Sequence, residues 1–181
     1  MVSLNILHIS DAHIQKKDVL EIKEIVQKLI NDINRVQIDK DIKIDLICFT
    51  GDLIQRGDRS IDDEGQWKIA QEILVEPLLK TLNLSQDRFV FVPGNHEVDI
   101  RKIVVALENG LQVKSLDRIQ ILMDNFDTSY KSRLDYFYDI VKENQPDAKF
   151  GILGYSCKKE INGINVGLAC VDSAWRSSGK G

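Results

Sequence analysis

Three short polar motifs carry the residue types best suited to chemistry in this sequence. They read Asp-Ala-His at residues 11–13, Gly-Asp at residues 51–52 and Gly-Asn-His-Glu at residues 94–97. Each motif follows a short apolar run with the length of a buried strand. Because a core strand has no packing reason to end on an amide, an imidazole and a carboxylate, these positions indicate a functional site.

The side chains of the motifs form a mixed set of oxygen and nitrogen ligands. Asp11 and Asp52 offer carboxylates, His13 an imidazole and Asn95 an amide oxygen. Such a set suits Mn²⁺, Fe or Zn²⁺ better than a thiolate-selecting site would. Asp11 and His13 are close enough in sequence to reach one ion. Asp52 can bridge two ions ~3.5–4 Å apart, a spacing that holds both the attacking and the leaving oxygen of a phosphoryl transfer.

The apolar runs before the motifs predict three strands, at residues 4–10, 44–50 and 88–94. Helical periodicity separates these runs, so the order strand, helix, strand, helix, strand predicts right-handed crossovers and a largely parallel sheet. All three motifs then lie at the carboxyl edge of that sheet, which is where ligands bind in open α/β sheets. We therefore expect two aspartates, two histidines and an asparagine to converge there.

Helical spacing of apolar residues predicts helices at 19–33 and 62–82, and Pro77 is expected to kink or split the second one. Three further helices are predicted at 101–108, 115–128 and 130–143. Two more strands are predicted near the end of the chain, at 149–156 and 164–173, separated by a turn at Asn162 and Gly163.

Composition and charge narrow the class of protein. A chain of 181 residues is long enough for one domain with a sizeable core. The net charge of -4 gives no overall attraction to nucleic acid or to an anionic membrane. The N-terminus has no signal-peptide pattern, and no apolar run reaches the ~20 residues of a membrane helix. The three cysteines form no C-x-x-C pair, which predicts reduced thiols and a cytoplasmic protein with no membrane partner.

The ordered motifs resemble the signature of the calcineurin-like metallophosphoesterases. That signature runs D-x-H, G-D and G-N-H-[DE], followed by a later histidine and G-H-x-H. The first three parts are matched here in order, each after a predicted strand. The resemblance covers residues 4–100 well and continues loosely through 166–175. It implies an α/β fold, namely the βαβαβ-type start of the calcineurin-like metallophosphoesterase α/β/β/α sandwich in truncated form.

The resemblance also implies a role for each motif residue. Asp11 and His13 bind the first of two divalent metal ions, with Mn²⁺ expected and Fe or Zn²⁺ as alternatives. Asp52 bridges both ions and Asn95 binds the second. His96 binds no metal and is the catalytic residue, which protonates the leaving oxygen or stabilises the transition state. The implied nucleophile is a hydroxide that bridges the two metals.

Two departures from the signature shape what we expect of this chain. Its three histidines are His8, His13 and His96, so the later histidine and the G-H-x-H are absent. Residues 1–181 are therefore expected to be the N-terminal part of a metallophosphoesterase domain in a longer protein with C-terminal domains, and the second metal to keep two protein ligands. Gln55 stands where the phosphoprotein phosphatase branch has the aspartate that pairs with the catalytic histidine. This favours the phosphodiesterase and nuclease-like branches.

The function implied by the resemblance is hydrolysis of a phosphoester, foremost a phosphodiester in a nucleotide or nucleic acid. A phosphomonoesterase of the same family is one alternative, and a non-catalytic sensing or interaction module with an incomplete metal site is another. Glu97 has two open interpretations: it supports His96 or a nearby base, or it is a solvated carboxylate or local cap. Arg56 can hold a substrate phosphate, although a solvated loop arginine is the simpler interpretation.

Overall fold

The computed structural model describes residues 3–57, 64–102, 132–175 and 177. Within these ranges the chain forms two three-stranded sheets. The first sheet consists of β1 (Ile6–Ile9), β2 (Leu46–Thr50) and β3 (Phe89–Val92). Its strands are parallel and lie in the order β1-β2-β3, which confirms the prediction of a parallel sheet.

Helix α1 (Val19–Lys40) connects β1 to β2. It buries Val26, Ile30 and Ile33, which share one face because they are spaced four and three residues apart. The helix continues beyond the predicted end at residue 33, because its last two turns are mostly polar and carry little periodic signal. Asp41 ends it in a left-handed conformation, a common form of helix termination.

The helix predicted at 62–82 consists of three consecutive segments. These are α2 (Glu64–Ala70), a π-helical segment (Gln71–Val75) and α3 (Glu76–Leu82), while residues 62–63 lie outside the described residues. Pro77 directly follows the π-helical segment, and its missing N–H removes one hydrogen bond from the helix there. The helical conformation is continuous from Glu64 to Leu82, so Pro77 does not split the helix, and the local change before it is the wider π-helical turn.

Helix α4 (Asp135–Asn144) corresponds to the helix predicted at 130–143. The helix predicted at 115–128 lies outside the described residues. The helix predicted at 101–108 does so as well, apart from residues 101 and 102, which belong to a 3₁₀ turn. No helix in the described ranges is long and apolar enough to cross a membrane.

The second sheet is antiparallel in the order β4-β5-β6. The strand predicted at 149–156 is split by a tight turn, where Gly154 adopts a φ of 132° that only glycine tolerates readily. The turn at Asn162 and Gly163 is confirmed, with the two positive φ angles of a two-residue hairpin. The strands are β4 (Lys149–Gly151), β5 (Gly154–Ile161) and β6 (Ile164–Val171).

Side chains from the second half of the chain satisfy the edge of β3 that faces away from β2. The Tyr155 hydroxyl donates to the carbonyl of Phe91 at 2.7 Å and accepts its N–H at 3.3 Å. The side-chain amide of Gln145 donates to the carbonyl of Phe89 at 2.8 Å. Together with one cluster of buried apolar residues, these bonds join β5 and α4 to the first sheet.

Candidate metal centre

The predicted ligand residues of the first two motifs lie on loops that continue the parallel pairing beyond β1 and β2. The N–H of Asp11 donates to the carbonyl of Gly51 at 3.0 Å. The N–H of His13 donates to the carbonyl of Asp52 at 2.9 Å. The two loops are therefore in fixed register with each other, as the strands are.

These ligand loops hold three non-glycine residues in the left-handed region of backbone space. The φ angle is 60° at Asp11, 46° at His13 and 57° at Asp52. This region is disfavoured for L-residues by about 1–2 kcal/mol, with Asp and Asn the more tolerant types. Such residues persist where the surrounding structure imposes them, and they concentrate at functional sites.

His13, Asp52 and His96 come together at the carboxyl edge of the sheet. One potential ligand atom of each lies within 4.8 Å of the other two. The rings of His13 and His96 meet edge to face with their centroids 4.5 Å apart. Nδ1 of His13 is buried and has no hydrogen-bond partner among the described residues. A buried nitrogen of this kind is costly unless it binds something, so the cluster fits a site that holds a cation.

Asp11 and Asn95 lie beside this cluster. Oδ1 of Asp11 is 4.0 Å from Nε2 of His13, and the Asp11 side chain is 65% exposed. Asn95 begins a short 3₁₀ turn and lines a cleft of about 210 Å³ together with His96 and Arg56. The structure thus places all five predicted site residues at one edge, and their assignment as ligands or catalyst stays a prediction.

The Glu97 carboxylate is a buried acceptor of backbone N–H groups. Its side chain is 5% exposed, and its two oxygens accept four backbone N–H groups at 2.7 to 3.1 Å. The donors are Asp52, Leu53, Ile54 and Gly94. Burial raises the pKa of the Glu97 carboxyl, and these hydrogen bonds oppose that shift. The local cap is confirmed by the bond to Gly94, and the solvated carboxylate is wrong.

Gly94 allows the loops after β2 and β3 to approach each other this closely. A Cβ at position 94 would lie 2.6 Å from the amide nitrogen of Asp52 and would also collide with its Oδ1. That same Oδ1 accepts the backbone N–H of His96 at 2.9 Å. The bare backbone at Gly94 is therefore what lets Asp52 reach the start of the His96 turn.

The His96 ring is oriented by a backbone carbonyl. Its Nδ1 lies 2.8 Å from the carbonyl oxygen of Gln55. Because a carbonyl can only accept, Nδ1 carries the proton and donates. Nε2 is then the nitrogen that the ring offers to the cluster. Gln55 stands where the phosphatase branch has an aspartate. It contacts His96 through its backbone carbonyl, whereas the aspartate of that branch pairs with the histidine through its carboxylate.

The sequence did not predict which side chains accept the backbone N–H groups of the loop after β2. Two buried polar side chains do so. One is Glu97, and the other is Gln66 of α2, whose Oε1 accepts the N–H groups of Gln55 and Arg56. The one sequence feature that could have indicated burial of Gln66 is its neighbour Trp67, which stacks on Phe91 in the core. That signal is weak, because most polar residues on helices face water.

Comparison with known proteins agrees with this geometry. A family profile described as calcineurin-like phosphoesterase matches residues 4–169, from before β1 into β6. No curated protein matches the chain significantly. The family consists of metal-dependent phosphoester hydrolases, which accords with a cation site on paired loops at the edge of a parallel sheet. The chain belongs to the calcineurin-like phosphoesterase family.

Proposed function

We propose that this chain provides the metal-binding edge of a phosphodiester hydrolase. The observation that carries the proposal is the approach of His13 and Asp52, two proposed ligands, to His96, the proposed catalytic residue, within 4.8 Å. The family match supports phosphoester hydrolysis in general. The preference for a diester rests on Gln55, which replaces the aspartate of the phosphatase branch. A nucleotide or nucleic acid as substrate and a cytoplasmic location remain predictions from the sequence.

The proposed metal ligands divide between two divalent ions. Asp11 and His13 would hold the first ion, Asp52 would contact both, and Asn95 would contact the second. Mn²⁺ is the expected metal for this set, and Fe or Zn²⁺ are alternatives. Bound cations supply Lewis acidity that stabilises the charge developing on the phosphoryl group.

His96 is the proposed proton donor to the leaving oxygen. The bond from Nδ1–H to the Gln55 carbonyl holds the ring, so the proton given to the leaving oxygen is a second one, which Nε2 carries when the ring is doubly protonated. A positioned acid of this kind contributes about 10²–10⁴-fold to the rate. Replacing His96 with Gln is expected to lower kcat within that range and to leave Mn²⁺ affinity unchanged. A loss of Mn²⁺ affinity instead would show that His96 is a metal ligand.

The proposal is tested by Asp52→Asn, with the exposed Asp39→Asn as the matched control. Hydrolysis of bis(p-nitrophenyl) phosphate and p-nitrophenyl phosphate is measured at saturating Mn²⁺. We expect the wild type and Asp39→Asn to turn over the diester faster than the monoester. Asp52→Asn should lose at least about 100-fold in kcat, since it weakens the contact to both ions. Full activity in Asp52→Asn would refute the assignment, and faster monoester turnover would make the chain a phosphomonoesterase.

A metal-binding module without turnover is the second candidate function. It is favoured by the histidine count, because His8, His13 and His96 are the three histidines of the chain. This function predicts at most one tightly bound Mn²⁺ per chain, measured by calorimetry, and no hydrolysis of either substrate at saturating metal.

A further inference from the structure

Two buried side chains accept five consecutive backbone N–H groups of the loop after β2. Glu97 accepts the groups of residues 52–54. Gln66 accepts those of Gln55 and Arg56, each at 3.2 Å. Gln66 is 7% exposed and belongs to α2, outside all three motifs. The end of the loop that touches His96 is therefore held from a separate helix.

One peptide unit connects Gln66 to the His96 ring. The carbonyl of Gln55 and the N–H of Arg56 belong to the same planar peptide and point in opposite directions. The carbonyl accepts Nδ1–H of His96 at 2.8 Å, and the N–H donates to Oε1 of Gln66. Since the peptide is rigid, fixing its N–H also fixes the direction of its carbonyl. A hydrogen bond to the N–H also polarises the carbonyl and strengthens it as an acceptor.

We propose that Gln66 is a positioning residue for His96. It acts through the peptide between Gln55 and Arg56, which keeps the proton of the ring on Nδ1 and turns Nε2 toward His13 and Asp52. The effect on catalysis rests on the proposed function, whereas the effect on the ring can be measured without turnover. In this chain Gln66 and the peptide between Gln55 and Arg56 would orient the catalytic histidine. In the phosphatase branch a single aspartate carboxylate pairs with it.

Two substitutions at position 66 separate the acceptor from the volume of the side chain. Gln66→Met keeps the length and removes the oxygen, and Gln66→Glu keeps an oxygen acceptor. Gln145→Met is the matched control, because Gln145 is 1% exposed and also bonds backbone groups, the carbonyls of Asp87 and Phe89. Both methionine variants lose buried glutamine bonds, but only position 66 contacts the loop that holds His96.

The first readout is the tautomer of His96, observed by long-range ¹⁵N–¹H NMR on the whole chain without metal, at a pH where the rings are neutral. We expect the Nδ1-protonated form in the wild type, Gln66→Glu and Gln145→Met. Gln66→Met should show a mixture of both tautomers. A folded Gln66→Met that retains the wild-type signals of His96 would overturn the proposal.

The second readout is the split between kcat and KM with bis(p-nitrophenyl) phosphate and Mn²⁺. Gln66→Met should lower kcat by about 10- to 100-fold with little change in KM, because a misdirected catalytic group costs rate more than binding. Gln66→Glu should recover most of the loss, and Gln145→Met should retain the wild-type kcat. Equal losses in the two methionine variants would refute the proposal. A wild type without turnover that still shows the tautomer change would refute the proposed function and leave the positioning role standing.

Discussion

Two groups of non-glycine residues in this chain adopt the left-handed backbone conformation, and they do so for different reasons. In the first group, Asp41 and Asn83 end helices and Asn162 begins the hairpin turn between β5 and β6. The second group consists of Asp11, His13 and Asp52 on the two ligand loops. Among the described residues, these are the non-glycine positions with positive φ.

The first group follows from local sequence, and the second depends on tertiary contacts. Asn and Asp are common at helix ends and turns because their side chains tolerate the left-handed region. His13 has no such tendency, and its conformation is maintained by the bond from its N–H to the carbonyl of Asp52. The ligand loops therefore keep their shape only while the loops after β1, β2 and β3 remain packed together.

The largest expected effect comes from separating two of these loops with Gly94→Ala. The added Cβ would lie 2.6 Å from the amide nitrogen of Asp52, so a ligand loop must move. We expect a loss of about 3 kcal/mol or more in the free energy of unfolding, measured with urea, together with loss of Mn²⁺ binding. Gly167→Ala in β6 is the control, since a Cβ there would meet nothing within 4 Å. Similar behaviour of the two variants would contradict the close approach at Gly94.

A second prediction concerns the end of β6, where a buried carboxylate plays no part in the ligand loops. Asp172 is 3% exposed, and burial raises its pKa from 3.8 to about 6 despite the N–H that it accepts from Ala174. Because folding favours its protonated form, its contribution to stability is greatest below about pH 4 and is lost as the pH rises through 6. Asp172→Asn should therefore gain stability relative to the wild type between pH 4 and 7, by about 2–3 kcal/mol.

Urea unfolding of both proteins across this pH range measures that difference. A stability difference between Asp172→Asn and the wild type that does not change with pH would show that Asp172 titrates normally. Mn²⁺ binding at constant pH is expected to be the same in both proteins, since the end of β6 lies outside the ligand loops.

The smallest expected effect comes from exchanging one aspartate in each left-handed group for asparagine. Both Asp11→Asn and Asp41→Asn place a more tolerant residue at positive φ, and each should change the free energy of unfolding without metal by a few tenths of a kcal/mol. Only Asp11→Asn removes a proposed ligand charge. Thermal unfolding with and without saturating Mn²⁺ should therefore show the wild-type metal shift in Asp41→Asn and a much smaller one in Asp11→Asn. Equal shifts would exclude Asp11 as a ligand.

Much of the fold could be predicted from the sequence because its elements follow simple periodicities. The three parallel strands, the start of α1 and the turn at Asn162 and Gly163 lie where apolar spacing and turn residues indicate. Element ends were harder to predict. The polar end of α1 shows no periodic pattern, and the split between β4 and β5 depends on the backbone of Gly154.

The sequence predicted which residues would meet at the candidate site, but it did not predict the hydrogen bonds that hold them there. The motifs indicated that Asp52 and His96 would meet, since strand order alone brings them to one edge. The partners of Glu97 and Gln66 are backbone N–H groups, and these are the same for every non-proline residue. No residue type therefore reveals them in advance.

The hydroxyl of Tyr155 on the edge of β3 has a consequence for folding. All four residues of β3 are apolar, and an unpaired edge on a strand of this kind favours pairing with another chain. Tyr155 follows it by more than sixty residues. The partners that the structure describes for this edge, Gln145 and Tyr155, are both synthesised well after β3, so the interval before they dock is when aggregation of this chain is expected to begin.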